Sequence, residues 1–217
     1  MAESMAADGQ ERAVKAEYKK GFNGRFGAGL PATTDAQLIF MQHALYKLAD
    51  NGRAAIITNG SPLFSGGTAS GESQIRRWLL ENDYIEAIIA LSTQLFYNTD
   101  IGIYVFILSK NKREARKGKV QLINAVDMYK PLRKSLGKKR REIDLESAKE
   151  IVRLYSDFKE TDTSKILPNT EFLYKEYTVY QPLQRTGKLD MQQIEKLEAI
   201  DLFTNNTSIC NQSEFDA

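Results

Sequence analysis

Asp50-Asn51-Gly52-Arg53-Ala54-Ala55-Ile56-Ile57-Thr58 joins the end of a helix to a strand, and the neighbouring elements follow from that joint. Upstream, Leu38, Met41, Leu45 and Leu48 recur at helical spacing, with Thr33, Thr34 and Asp35 as N-cap candidates and Asn51-Gly52 as the stop. Ala54 to Thr58 has no polar interruption, the pattern of a strand covered on both faces in a largely parallel sheet. Downstream, the Gly- and Ser-rich run 60–71 is a loop, and Glu72 to Leu80 resumes helical spacing through Ile75, Trp78 and Leu79, which places Trp78 against the sheet. Tyr84 to Leu91, Ile101 to Ser109 and Lys119 to Ala125 are the next strands. Their short connections predict antiparallel pairings and a mixed sheet. Asp144 caps a helix carrying Ile151, Leu154, Tyr155 and Phe158, and the Thr-rich stretch from Glu160 to Ser164 marks a boundary. Beyond it, Phe172 to Tyr180 is aromatic and β-branched enough for a strand, Pro182 stops it, Met191 to Ile200 is an amphipathic helix, and Thr204 to Ala217 has the composition of a disordered tail.

Across 217 residues, 42% are hydrophobic and 27% charged, the usage of an ordinary globular chain large enough to bury a core. No apolar run is long enough to cross a bilayer and the first ten residues lack a secretory pattern, so no membrane association is expected and a cytoplasmic location is. A single Cys210 excludes an intrachain disulfide framework. The lone His43 excludes a multi-histidine metal site. The net charge of +2 is too small to argue for nucleic acid; two local basic runs argue for it better.

Several ordered blocks carry a resemblance. They are Asn51 to Ile57, Gly60-Ser61-Pro62-Leu63-Phe64, Glu72 with Ile75-Arg76-Arg77-Trp78-Leu79-Leu80, Asp83 to Leu91, Leu95-Phe96-Tyr97-Asn98-Thr99-Asp100-Ile101 and Leu108-Ser109-Lys110. Gly29-Leu30-Pro31 with Asp35 to Leu45 precede them, and Arg116 to Val120 and Arg133 to Ile143 follow. In this order the chain resembles the modification subunit, an adenine-N6 DNA methyltransferase, of type I restriction-modification systems over residues 21–160. Tyr177-Thr178-Val179 with Gln181-Pro182-Leu183 is similar to a further family stretch, with Gln181 where arginine is usual.

The resemblance implies an α/β fold: the downstream part of a Rossmann-like, S-adenosylmethionine-dependent methyltransferase with a mixed sheet, plus a C-terminal α+β extension. Residues 1–29 would be a loop and short helix, 30–160 the partial catalytic domain, 161–203 the extension and 204–217 a tail. In the family a glycine-rich turn holds S-adenosylmethionine, and an Asn-Pro-Pro-Phe or Asn-Pro-Pro-Tyr segment receives the target amino group. Here the prolines stand at 31, 62, 131, 168 and 182, never adjacent, so no catalytic tetrapeptide exists in these residues. Phe26-Gly27-Ala28-Gly29 follows no predicted strand and reads as a plain surface loop rather than a cofactor site. The complete enzyme would use S-adenosylmethionine, none is expected to bind this chain alone, and the chain alone is expected to be inactive. The implied partners are DNA, a specificity subunit, a restriction subunit and the upstream half of the methyltransferase.

A base whose amino group is methylated must leave the duplex, and an aromatic face commonly receives it. The resemblance assigns this target-base stacking role to Phe96 first and Tyr97 second. The competing reading is that Phe96 plugs the core. Phosphate-contact candidates are Lys112, Arg113, Arg116 and Lys117 in one run and Lys138, Lys139, Arg140 and Arg141 in another, against solvated loops as the alternative. For Asp35, Asp83 and Glu86, capping or surface solvation outranks general-base chemistry. A second functional class also fits: a non-catalytic nucleic-acid-binding or assembly module derived from such a methyltransferase.

Overall fold

The computed structural model describes residues 8–180, together with Gln192, Glu195 and Lys196. The chain divides into two compact units, residues 1–176 and 177–217. The first unit holds five helices, α1 (Asp8–Tyr18), α2 (Gln37–Lys47), α3 (Ser61–Phe64), α4 (Gly71–Glu81) and α5 (Leu145–Asp157). Its strands are β1 (Arg53–Thr58), β2 (Ile85–Leu91), β3 (Ile103–Ser109), β4 (Lys119–Ala125), β5 (Lys130–Leu136), β6 (Lys139–Glu142) and β7 (Ser164–Pro168).

Five strands form one mixed sheet in the order β1-β3-β2-β4-β7, and β5 with β6 forms a separate hairpin. β2 and β4 are parallel, while β1 with β3, β2 with β3 and β4 with β7 are antiparallel. Side chains alternate between two faces along each strand. Phe106 and Leu108 of β3 and Val120 of β4 join Leu38, Met41 and Leu45 of α2 and Ile75, Leu79 and Leu80 of α4 on one face. Ile89, Ile123 and Ala125 join Ile151 and Leu154 of α5 on the other. The result is two helices, a sheet and a helix in three layers, each helix burying one apolar stripe.

The caps explain where the helices begin. Ser70 accepts a hydrogen bond from Ser73 N at 3.2 Å, and Asp144 accepts one from Ser147 N at 2.9 Å. At α2 the capping position is Ala36; Asp35, one residue earlier, accepts from Gln37 N at 3.1 Å. Phe158 closes α5 in the left-handed conformation at φ 47°.

Several expectations are corrected. Among the described residues β1 is an edge strand with one antiparallel partner rather than a covered strand of a parallel sheet. Ala54 and Ile56 pack into the core, but Ala55 is exposed and Ile57 is 58% exposed. The boundary at 160/161 falls within the first unit, because Ser164 to Pro168 adds the outer strand β7 beside β4. Residues 172–180 form no strand; Asn169 to Phe172 is a 3-10 turn, and the chain beyond it is irregular. The helix at 191–200 lies outside the described residues except for Gln192, Glu195 and Lys196, which are helical, and Gln181 to Leu183 and the tail 204–217 lie outside them altogether. Phe26-Gly27-Ala28-Gly29 is more than a surface loop: Phe26 is 5% exposed and packs with Ala36 and Ile39. Among the described residues no helix is long and apolar enough to cross a membrane.

Candidate nucleic-acid interface

Ligands of α/β sheets gather where parallel strands end, because the connections there leave a crevice free of covering helices. The registers Thr58↔Tyr104 and Leu91↔Ile103 put the carboxyl ends of β1 and β2 together at the start of β3, and Leu91↔Ala125 puts the end of β4 beside them. The loop 92–102 and the hairpin β5–β6 both spring from this end.

The loop and the hairpin are fastened to each other. Lys138 N donates to Tyr97 O at 2.8 Å and Arg140 N to Gln94 O at 3.0 Å. Gln94 makes this contact in the left-handed conformation at φ 61°. At the hairpin turn, Gly137 has φ 60°, and a Cβ there would stand 2.6 Å from Tyr97 O, so only glycine permits the approach. Arg141 donates through Nη1 to Ser92 Oγ at 2.7 Å, and its guanidinium lies over the Tyr129 ring at 4.1 Å. Lys138 Nζ reaches Asp100 Oδ2 at 3.2 Å, with both side chains open to solvent.

This packing holds Phe96 and Tyr97 outward, at 43% and 68% exposure, and Phe96 belongs to no core cluster. The hairpin beside them carries seven cations between residues 130 and 142, against the single carboxylate Glu142. That imbalance makes the surface around the two aromatics strongly positive. Lys138 and Arg140 are exposed and Lys139 is partly so, whereas Arg141 is committed to the loop and to Tyr129.

The first basic run lies at the opposite end of the sheet, where β3 ends and β4 begins. Two of its candidates are corrected as phosphate contacts. Lys112 is 4% exposed, and its ammonium donates to Asp83 Oδ1 at 2.5 Å and to Lys119 O at 2.7 Å. Burial pushes its pKa below the usual lysine range. Arg116 is also 4% exposed: it donates to Gln121 Oε1 at 2.9 Å and to Tyr155 O, and stacks between the rings of Tyr155 and Phe158. Arg113 and Lys117 are exposed, and Lys117 pairs with Glu114. Asp83 is a tie point, accepting also from Gly118 N and Asn169 Nδ2. Glu86, fully buried, meets Arg53 Nε at 2.8 Å and is no surface carboxylate.

At the carboxyl end of β1 the structure adds a group that sequence reading missed. Gln37 Nε2 donates to Asp35 Oδ1 and to Asn59 Oδ1, each at 2.9 Å, and Asn59 N donates to Gln37 Oε1 at 2.9 Å. Ser61 Oγ donates to Asp35 Oδ2. Burial raises the pKa of Asp35, but the hydrogen bonds from Ser61 and Gln37 outweigh it and hold the carboxyl below its ordinary value. The signal was the polar tetrad itself, split between the start of α2 and the end of β1. Among the described residues no group of His, Cys, Asp or Glu could hold a metal ion.

Comparison with known proteins agrees with this architecture. A sequence model of the N-6 DNA methylase family matches residues 10–182. The chain is 31% identical over 175 residues to the methylase subunit of the type I restriction enzyme MjaVIII of Methanocaldococcus jannaschii, covering 80% of this chain and 28% of the relative. It is 35% identical over 102 residues to the HindI methylase subunit of Haemophilus influenzae, covering 46% of this chain and 22% of that one. Among solved structures, a type I restriction-modification methyltransferase subunit from Streptococcus thermophilus superposes with a TM-score of 0.61 at 27% identity, over 73% of this chain and 32% of that chain. The chain therefore spans less than a third of each of these proteins. Its three-layer mixed sheet, its family match over most of its length and its likeness to these subunits make it a member of the N-6 DNA methylase family, of the kind found as type I modification subunits.

Proposed function

We propose that this chain is the target-base side of a site-specific DNA adenine-N6 methyltransferase of a type I restriction-modification system. The observation that carries the reading is the joining of Phe96 and Tyr97 to the basic hairpin at the carboxyl end of β2 and β4. A flipped adenine would stack on Phe96, with Tyr97 at the rim, while Lys138, Lys139 and Arg140 hold the flanking phosphates. Arg141 sets the hairpin on the loop and so acts through position. Arg113 and Lys117, at the far end of the sheet, would serve a separate stretch of backbone.

The residues present do not fit an S-adenosylmethionine site. Phe26 to Gly29 follows a helix and a 3-10 turn, not a strand. Gly60 does follow β1, but the helix after it has four residues, and Asn59 and Asp35 already occupy its first turn. In this reading the sheet is the downstream part of a Rossmann-like methyltransferase, followed by a C-terminal extension. The donor and the Asn-Pro-Pro segment belong to an upstream half outside these 217 residues, and the chain alone does not transfer methyl groups. β1 suits that half, since among the described residues its outer edge has no partner strand and Ala55 and Ile57 belong to no core cluster. A specificity subunit and a restriction subunit complete the assembly.

The phosphate assignment is checked by salt dependence. Replacing Lys138, Lys139 and Arg140 together with alanine reduces the slope of log affinity against log salt by about 0.9 for each phosphate that is no longer neutralised. The same replacements at Lys112 and Arg116 act through folding, not through the slope. An unchanged slope in the hairpin variant removes the hairpin from the DNA surface.

A further inference from the structure

A second site stands at the opposite end of the sheet. A cavity of about 320 Å³ opens between the loop after α1, α2, α4 and the start of β2, and its lining includes Phe22, Trp78, Tyr84, Gln42, Arg25 and Lys110. That volume is within the range of small-molecule sites. Neither Phe96 nor the hairpin contributes to it, so it is separate from the target-base surface.

Its walls are aromatic. The rings of Phe22 and Trp78 lie 6.5 Å apart with 30° between their planes, and Tyr84 stands edge-on to Trp78 at 5.1 Å. A flat ring inserted between two others needs about 7 Å, two carbon contacts of roughly 3.5 Å each. Phe22 is 72% exposed, so its ring can turn away from Trp78 to admit one. Gln42 is 1% exposed: its Nε2 donates to Gly29 O at 3.0 Å, and its Oε1 has no partner. The charged side chains of the lining are both cationic. Arg25 meets Glu17 through its backbone N and its Nε, and its guanidinium lies 5.6 Å from the centre of the Phe26 ring. Lys110 Nζ donates to Leu48 O at 2.6 Å, so its charge meets a carbonyl rather than a carboxylate.

An aromatic wall and two cations call for a flat heteroaromatic ring joined to an anion. We infer that this cavity binds a purine nucleotide, with the base between Phe22 and Trp78 and the phosphate on Arg25 and Lys110. The glycines of the loop serve this fit. At Gly27 a Cβ would stand 2.6 Å from the carbonyl carbon of Gly21, so a side chain there would force the loop apart.

Trp78 is the only tryptophan in the chain, so its fluorescence reports on the slot directly. Titration of the full chain with AMP gives saturable quenching, adenosine quenches with about tenfold weaker affinity for want of the charged contact, and ribose 5-phosphate does not quench. Arg25→Ala weakens AMP severalfold, Lys110 still meeting the phosphate, and leaves adenosine unchanged. Absence of saturable quenching by AMP overturns the proposal. So does equal affinity for AMP and adenosine, or an Arg25→Ala variant that weakens the two alike.

Discussion

Phe96→Ala in the assembled methyltransferase lowers methyl transfer to DNA by about tenfold to a hundredfold and leaves affinity for S-adenosylmethionine unchanged. Stacking of a base on an aromatic ring is worth about 1 to 3 kcal/mol by substitution, and each 1.4 kcal/mol is a factor of ten. Loss of the ring should not unfold the protein, because Phe96 is 43% exposed and no core cluster includes it. The loop is held by main-chain bonds from the hairpin to Gln94 and Tyr97, which the substitution leaves in place. Steady-state transfer of labelled methyl groups, measured beside calorimetric titration with the donor, separates the outcomes. Parallel loss of transfer and donor binding would return Phe96 to a packing role. Tyr97→Ala, at the rim, has the smaller effect of the two.

Arg116→Ala destabilises the first unit by about 3 to 5 kcal/mol, the range for removing one partner of a buried ion pair. The guanidinium lies 3.4 Å from the fully buried Glu86, donates to Gln121 and stacks on two rings, Tyr155 at 4.4 Å and Phe158 at 4.2 Å. Without it Glu86 loses one of its two ion-pair partners, keeping Arg53, and Gln121 Oε1 loses its donor. The arginine ties β2, β4 and α5 at one place, so its loss is felt where α5 packs on the sheet. Urea unfolding measures the change. Arg116→Lys restores charge but not the flat stack, and should recover only part of the loss. A cost below about 1 kcal/mol would mean that the site relaxes around the missing group.

The same arginine shows where sequence reading stops. Arg116 stands in a run of basic residues that patterning assigns to solvent, and nothing local reveals that Glu86 and Tyr155 wait for it across the fold. Lys112 and Asp83 repeat the lesson: twenty-nine positions apart, with β2 and β3 between them, they meet in the fold at 2.5 Å. Elements governed by local pattern were legible. β4 occupies Lys119 to Ala125 as its apolar alternation indicates, and Asp144 caps α5 as its spacing indicates. β1 was misread because a short apolar run looks alike in a covered strand and in an edge strand whose outer face is bare. β7 was missed because Ser164 to Pro168 is short and polar at its start, and becomes a strand through pairing with β4. The converse holds for 172–180, which has the composition of a strand but pairs with no neighbour among the described residues.

Of the candidate site, the aromatics were found through family resemblance, whereas the hairpin that presents them was hidden by its charge. Lys130 to Glu142 contains too few apolar residues to register as two strands, and Gly137 in the middle was the one turn signal. The structure converts a run of cations into a surface by docking that turn on Tyr97.

Labelled methyl transfer from S-adenosylmethionine to adenine in duplex DNA tests the central claim most directly. It is measured with this chain alone and with this chain mixed with an upstream methylase half that carries the glycine-rich turn and the Asn-Pro-Pro-Phe segment. Label on adenine N6 in the mixture, and none with either part by itself, is the predicted result. Label on adenine with this chain alone would contradict it.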